Sequence, residues 1–361
     1  MNHKIKKTTK TAVIGTVGVP ASYGGFETLV ENLIESNKHQ YVVYCSAKSY
    51  PTKLRNYKSA QLTYIPLNAN GISSIFYDIL SILHSIFIKK VDNILILGVS
   101  GCLILPFVRK ISSVRVCTNI DGLEWRRDKW GKYARRFLKW SEKIAVYHSD
   151  CVISDNQEIA NYVSREYNIE SQVIAYGGDH AIINEDYNLN ESLGDYALAL
   201  CRIEPENNVH LILKAFKDIN YDLKFIGNWN NSEYGRNLKQ EYSKYQNMHL
   251  LDPIYDIQIL ESIRHGCSIY IHGHSAGGTN PSLVEMMFFG KKIICFDCQY
   301  NRYTTHDKAE YFKHSSDLHE KTTKTTDCLP FDNNQGEELK KIAQENYTWD
   351  KIRAQYEEIL K

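Results

Sequence analysis

The chain of 361 residues is long enough for two domains of ordinary size, each with a sizeable core. Its 43 Lys and Arg nearly balance 42 Asp and Glu, and a formal charge of +1 gives no bulk attraction to nucleic acid, so none is expected as a partner. The nine cysteines are scattered and odd in number, and residues 1–10 are rich in Lys and Thr with no apolar leader, so reduced thiols in a cytoplasmic protein are expected.

Strand-like and helix-like stretches alternate throughout, which predicts an α/β fold with parallel sheets. The first strand is 11–14. A glycine-containing loop over 15–25 follows, then a helix over 26–36 with Leu29, Leu33 and Ile34 on one face. Strands are expected at 41–45 and 62–65. The apolar run 75–88 is broken by Asp78 and His84 and ended by Lys89 and Lys90, so it is too short to span a bilayer. It reads as a buried or half-buried helix rather than a membrane-surface one. Strands at 93–97, 114–118, 151–153 and 172–174 complete the first half. Residues 176–179 are expected to end that domain, and the polar, acidic stretch 184–195 to form a linker. A second series begins with a strand at 196–200. It continues through a helix at 209–216, strands at 223–226, 248–251 and 267–271, a helix carrying Glu285, and a strand at 292–296. Cys295 and Cys298 form a C-x-x-C pair, but no second pair has zinc spacing, so no metal is expected. Residues 317–327 read as a surface loop or short helix, and 349–360 as a closing helix. The layout predicts domains over 1–180 and 195–345, facing a central cleft into which the loops beyond the strand C-termini point.

Five stretches carry chemistry. In 15–27 a strand feeds a glycine loop that feeds a helix. The spacing does not fit G-x-G-x-x-G, and the second strand ends in Cys45 and Ser46 where a ribose-binding acid would stand, which argues against a dinucleotide fingerprint. Beyond a plain structural turn, the loop reads as one whose backbone at Gly24 and Gly25 approaches a phosphate or a reacting sugar. In 119–125, Asp121 and Glu124 follow a strand and can orient acceptor hydroxyls, or one can act as a base; equally, such carboxylates can be merely solvated or cap a helix. In 125–140 the cations Arg126, Arg127, Arg135 and Arg136 are interleaved with aromatics that include Trp125 and Trp130. A solvated helix face is the plain reading; the preferred one is a surface that meets anionic lipid headgroups or a lipid-linked diphosphate. Arg202, just past a strand, is placed to clamp a diphosphate bidentately, with an ion pair to Glu204 or Glu206 as the alternative. The fifth stretch, 267–285, runs from an apolar strand through Gly277 and Gly278 to a helix with Asn280 as N-cap and Pro281 as its first residue. Such a start is an anion cradle of N–H groups, and Glu285 lies one turn in, where it can reach a sugar hydroxyl.

With these residues in hand, the chain resembles retaining GT-B glycosyltransferases of family 4, and within them the bacterial rhamnosyltransferase-like subgroup of surface-polysaccharide synthesis. The resemblance rests on I-G-T-x-G-x-P-A-x-Y-G-G-F-E at 14–27, N-I-D-G-L-E-W at 119–125, R-I-E-P-E-N-N at 202–208 and H-G-H-S-x-G-G-T-N-P-S-L-x-E at 272–285. It implies two Rossmann-like parallel-sheet domains around a central cleft, with the closing helix, 347–361, crossing back onto the first. It also implies that Gly24 and Gly25 approach the donor phosphate and Arg202 neutralises the leaving diphosphate. Asn207, Gly277, Gly278, Thr279, Asn280 and Ser282 would line the donor site, N–H groups at 279–282 would hold a phosphate, and Glu285 would accept from a ribose hydroxyl. Asp121 and Glu124 would stand on the acceptor side. Two departures matter. Gly277 stands eight positions before Glu285, where the family carries a glutamate that touches the transferred sugar, and Asn207 stands about where it carries a lysine. Donor-sugar contacts must therefore differ, and one cation fewer stabilises the leaving group.

The function implied is transfer of a sugar, with rhamnose from dTDP-rhamnose the best match, to a polyprenyl-diphosphate-linked saccharide in capsule, exopolysaccharide or O-antigen synthesis. No cofactor or metal is expected. The enzyme would sit peripherally on the inner, anionic face of the plasma membrane through Trp125, Arg126, Arg127, Trp130, Arg135 and Arg136. Alternatives are a UDP- or GDP-sugar donor, a nucleotide-sugar 2-epimerase using His272 and His274, and a non-catalytic nucleotide-sugar-binding partner of a polysaccharide complex.

Overall fold

The computed structural model describes residues 9–21, 24–36, 38–127, 130–183, 196–328 and 333–361. The expected linker, 184–195, lies outside the described residues, as do Ser22 and Tyr23 of the first glycine loop and Asp128 and Lys129 of the basic segment. The chain divides into two compact units, Met1–Ala175 with Asp350–Lys361, and Tyr176–Trp349.

The first unit is built on eight strands: β1 (Lys10–Ile14), β2 (Gln40–Ser46), β3 (Asn56–Tyr57), β4 (Ala60–Ile65), β5 (Asn93–Leu97), β6 (Arg115–Asn119), β7 (Cys151–Ser154) and β8 (Gln172–Val173). Their order is β3-β4-β2-β1-β5-β6-β7-β8, parallel except for β3 against β4. The central strands have to be apolar along their length because both faces are covered, and β5, Asn-Ile-Leu-Ile-Leu, is buried throughout. The helices α1 (Gly25–Leu33), α2 (Ser73–His84), α3 (Leu105–Ile111), α4 (Lys132–His148) and α5 (Gln157–Tyr167) make the crossovers. The expected 75–88 helix is α2 followed by a π-helical turn, Ser85–Lys89.

The second unit has six parallel strands: β9 (Tyr196–Leu200), β10 (Asp222–Ile226), β11 (Met248–Leu251), β12 (Ile269–His272), β13 (Lys292–Phe296) and β14 (Glu310–Phe312), in the order β11-β10-β9-β12-β13-β14. Its helices are α6 (Val209–Phe216), α7 (Glu233–Tyr242), α8 (Ile257–Gly266), α9 (Pro281–Phe288), α10 (Gln299–Thr304), α11 (Ser315–Asp327) and α12 (Asn334–Asn346). Trp229, Tyr270, Phe216, Phe225 and Phe312 are its largest fully buried side chains. The stretch expected as a loop or short helix is α11, a full helix that buries Leu318, Thr322 and Thr325 on one face.

The segment 176–180, expected to close the first domain, packs within the second unit. The Gly178 N–H donates to Tyr347 O at 2.9 Å, and Asp179 Oδ1 accepts from the Trp349 N–H at 2.8 Å. The last helix, α13 (Trp349–Ile359), belongs to the first unit from Asp350 onward. There Tyr356 accepts from Asn119 Nδ2 at 2.9 Å, and Leu360 O accepts from Asn93 Nδ2 at 2.5 Å. Among the described residues no helix is long and apolar enough to cross a membrane, and all nine cysteines are free.

Candidate functional site

In the second unit β9 and β12 are parallel neighbours, so the loops that follow them emerge side by side at the C-terminal edge of the sheet. They are strapped together. Asn208 Nδ2 donates to Gly273 O at 2.8 Å, and Ser275 donates to Glu206 O through its N–H at 2.9 Å and its hydroxyl at 2.8 Å. A side chain at Gly273 would collide with the Asn207 carbonyl, so the approach requires glycine. Asn207 is buried and spends its carboxamide on the strap: Nδ2 donates to Arg202 O at 2.7 Å, which leaves Oδ1 to accept from His274 Nδ1 at 2.6 Å. The Arg202 side chain, by contrast, is 44% exposed, and it pairs with Glu204 only loosely, at 3.9 Å.

The start of α9 matches expectation in one respect and departs from it in another. Asn280 caps the helix and Pro281 is its first residue, but the Asn280 side chain accepts the Ser282 N–H at 3.0 Å. Proline has no N–H, so of the expected cradle at 279–282 two positions are not open to a phosphate. Gly277 turns with φ 101°, where other residues are strained, and both Gly277 and Gly278 are buried. One turn into α9, Glu285 is bound by the buried Arg264 guanidinium of α8, and His180 Nε2 stands 3.5 Å from its other oxygen. Burial alone would raise this carboxyl; Arg264 and His180 outweigh it and hold Glu285 below the usual carboxylate range. Trp349 Nε1 donates to His180 Nδ1 at 2.9 Å. His272 lies at the end of β12, where burial depresses its pKa to about 3 and keeps the ring neutral.

The first unit holds the other expected residues. Gly15 (φ 100°) passes so close to β5 that a Cβ would strike the Leu97 carbonyl. Gly24 (φ 134°) precedes α1, and Gly25 is the first residue of that helix. The loop carries its own acid. Glu27 folds back so that Oε1 accepts the Val17 N–H at 2.9 Å, and its Oε2 fills the space a Gly24 side chain would need. Burial raises the pKa of Glu27 above the usual carboxylate value, while the Val17 N–H pulls it back down. Asp121 (φ 61°) and Leu123 (φ 50°) both adopt the left-handed conformation around Gly122, a strained turn for side chains of their kind. Glu124 has two partners: one oxygen pairs with Arg127 Nε at 3.0 Å and the other accepts from Trp130 Nε1 at 3.0 Å. Arg127 and Trp130, both expected on a lipid face, are thus each bonded to Glu124 and are half-buried.

Trp125 is anchored differently. Its Nε1 donates to the buried Glu142 of α4 at 2.9 Å, and Arg126 lies over its ring at 5.1 Å. Arg135 Nε donates to Trp130 O at 2.9 Å, while Arg136 is exposed. Sequence reasoning missed Arg264, His180, Trp349 and Glu142, whose partners are far away along the chain. Among the described residues no group of three or more His, Cys, Asp or Glu is arranged to hold a metal ion.

Residues 187–341 match the glycosyl transferases group 1 family, and residues 8–179 match a domain of unknown function, DUF1972. No curated protein is close enough in sequence to match the chain. Among solved structures, the chain is similar to sucrose-phosphate synthase from Thermosynechococcus elongatus, with a TM-score of 0.80 and 13% identity over 97% of this chain and 98% of that one. It is similar to Anabaena HepE in complex with UDP, at TM-score 0.73 and 10% identity over 98% and 99% of the two chains. The catalytic domain of starch synthase IV from Arabidopsis thaliana, bound to ADP and acarbose, aligns at TM-score 0.72 and 12% identity over 98% of each.

Proposed function

We propose a donor and an acceptor for this chain, which is a glycosyltransferase of the GT-B fold. The donor is a nucleoside-diphosphate sugar, with dTDP-rhamnose the first choice and UDP- or GDP-sugars the alternative. The acceptor is a saccharide on a polyprenyl diphosphate at the cytoplasmic face of a membrane, as in surface-polysaccharide synthesis, and the anomeric configuration is kept. The observation that carries this reading is Arg202, an exposed guanidinium at the mouth of the strapped β9 and β12 loops, within the stretch that matches group 1 glycosyl transferases.

In this reading the donor's diphosphate takes the Arg202 guanidinium, which gains most as negative charge develops on the departing oxygen. Glu285, kept ionised by Arg264, accepts from a ribose hydroxyl. Gly277 and Gly278 let the backbone approach the donor, and Gly24 and Gly25 give the first glycine loop the same freedom to approach a phosphate or sugar. Asp121 orients the acceptor hydroxyl, with Glu124 shaping the turn beside it. Catalysis then comes from positioning and leaving-group stabilisation, without a metal. His272 and His274, which an epimerase would need, are respectively buried neutral and hydrogen-bonded to Asn207, which weighs against that activity.

Arg202→Ala is expected to lower transfer by about 10²–10³-fold, the usual loss for one electrostatic stabiliser. Single-turnover transfer to a lipid-linked acceptor checks it, and unchanged turnover removes Arg202 from the mechanism. Thermal shift against dTDP-, UDP- and GDP-sugars identifies the donor, because a ligand at about 100 times its Kd stabilises by about 2.7 kcal/mol. Donor binding without transfer to any acceptor would make the chain a binding partner instead.

A further inference from the structure

Beside α4 the first unit holds an open cavity of 780 Å³, a size suited to a small ligand. Among the described residues six cations line it, Arg126, Lys132, Arg135, Arg136, Lys139 and Lys143, against a single acid, Glu166. Glu166 is already spent on Lys139, at 3.0 Å. Among the described residues, Arg126, Lys132, Arg136 and Lys143 have no acidic partner within 4.0 Å. Like charges on neighbouring turns of one helix repel, so the arrangement costs stability unless an anion joins it.

The cavity floor is fixed rather than fluid. Glu142, buried, accepts from the Tyr162 and Tyr167 hydroxyls at 2.6 Å each and from Trp125 Nε1 at 2.9 Å. Lys139 rests over the rings of Trp125, Tyr162 and Tyr167 at 4.8, 4.7 and 5.0 Å. Trp140 and Tyr147 also line the cavity, and with Tyr133 they recur every seventh residue along α4, hence on one face, 57%, 50% and 84% exposed. An aromatic stripe flanked by lysine and arginine suits the depth of lipid headgroups.

We propose that this cavity is a binding site for the phosphate-bearing head of a lipid, best filled by a diphosphate. Four unpaired cations exceed what one carboxylate or phosphodiester can neutralise, and the rigid floor sets them in place before the ligand arrives. The site deepens the acceptor assignment above and rests on it: the diphosphate of a polyprenyl-linked saccharide carries this charge. A bilayer phospholipid carries the same chemistry at lower charge, and the two sources are separable.

The test uses the intact protein and the quenching of its tryptophan fluorescence by farnesyl diphosphate, with farnesol as control and inorganic pyrophosphate as competitor. Farnesyl diphosphate is expected to bind and to be displaced by pyrophosphate. The triple variant Lys132→Gln, Arg136→Gln, Lys143→Gln changes only exposed side chains, so it keeps its fold, and its affinity is expected to fall at least tenfold. Equal binding by wild type and variant, or equal binding of farnesol and farnesyl diphosphate, overturns the proposal. Competition by phosphatidylglycerol vesicles would identify the bilayer as the source, and lack of competition the lipid diphosphate; both keep the site. Nucleotide binding, read by thermal shift in the same samples, separates the two claims. Lost farnesyl diphosphate binding with nucleotide binding intact concerns the cavity alone, whereas a wild type that binds no nucleotide sugar undoes the donor assignment.

Discussion

Glu285 sits between two partners that favour its ionised form in different ways. Arg264 supplies a fixed charge. His180 supplies a proton whose position the neighbouring indole decides: Trp349 Nε1 can only donate, so His180 Nδ1 accepts and the ring proton of the neutral imidazole lies on Nε2, facing Glu285. His180→Ala removes one support of the carboxylate, so the Glu285 pKa rises from its lowered position. The expected result is an acid limb of donor binding displaced to higher pH and a raised donor KM with kcat little changed. His180→Gln, which can still accept from Trp349 and donate to Glu285, should restore part of the loss. A limb that stays in place in the alanine variant would show that the contact has no bearing on the donor. Arg264→Met leaves a half-buried carboxylate without its main counter-charge, and should cost about 3 kcal/mol in urea unfolding. Only part of this was legible beforehand. The Asn280 cap and Pro281 announce themselves within three residues of sequence. Arg264 and His180 carry no local mark, because nothing in their own helix or turn says which carboxylate the fold will bring to them.

At the level of elements, α2 carries the clearest conflict between burial and charge. Asp78 is buried, bonded to the Ser100 hydroxyl, and backed so closely by Gly101 that a side chain there would strike it. Burial pushes its pKa up to about 7. The folded state therefore keeps the Asp78 proton between about pH 4 and 7 while the unfolded chain gives it up, and this contribution to stability falls as pH rises through that window. The slope is roughly 1.4 kcal/mol per pH unit. Asp78→Asn has no such penalty, so its advantage over the parent should grow from pH 4 to pH 8, and denaturation at both pH values measures it. Parallel advantage at both ends would mean that Asp78 ionises freely. The elements themselves were largely readable: β1, β5 and β9 are short apolar runs bounded by turn residues, and only a covered parallel strand needs that composition. The helix α11 was not, because two of its three buried positions are threonines, which show no apolar period.

For the molecule as a whole, one buried group in each unit, Asp78 and His272, responds to acid in the opposite sense. His272 in the second unit is neutral when folded, with a pKa near 3, but takes a proton below about pH 6.5 when unfolded. Its contribution is complete above that pH and is lost as pH falls toward 3, the reverse of Asp78 in the first unit. Calorimetry at pH 4 and 8 should show His272→Gln losing less melting temperature on acidification than the parent. Equal losses in parent and variant would contradict this. Two α/β units were legible in the alternation of strands and helices; the boundary was not, since 176–180 is short and its hydrogen bonds run to Tyr347 and Trp349. The return of Asp350–Lys361 to the first unit bears on how the protein is made. Asn93, Asn119 and Ser36 leave the ribosome early, yet their partners Leu360, Tyr356 and Glu357 are translated some hundreds of residues later. The half synthesised first must wait, with a groove unfilled, while the later-made half can already close around its own sheet, so premature termination near residue 349 would spare the later-made half and cripple the earlier one.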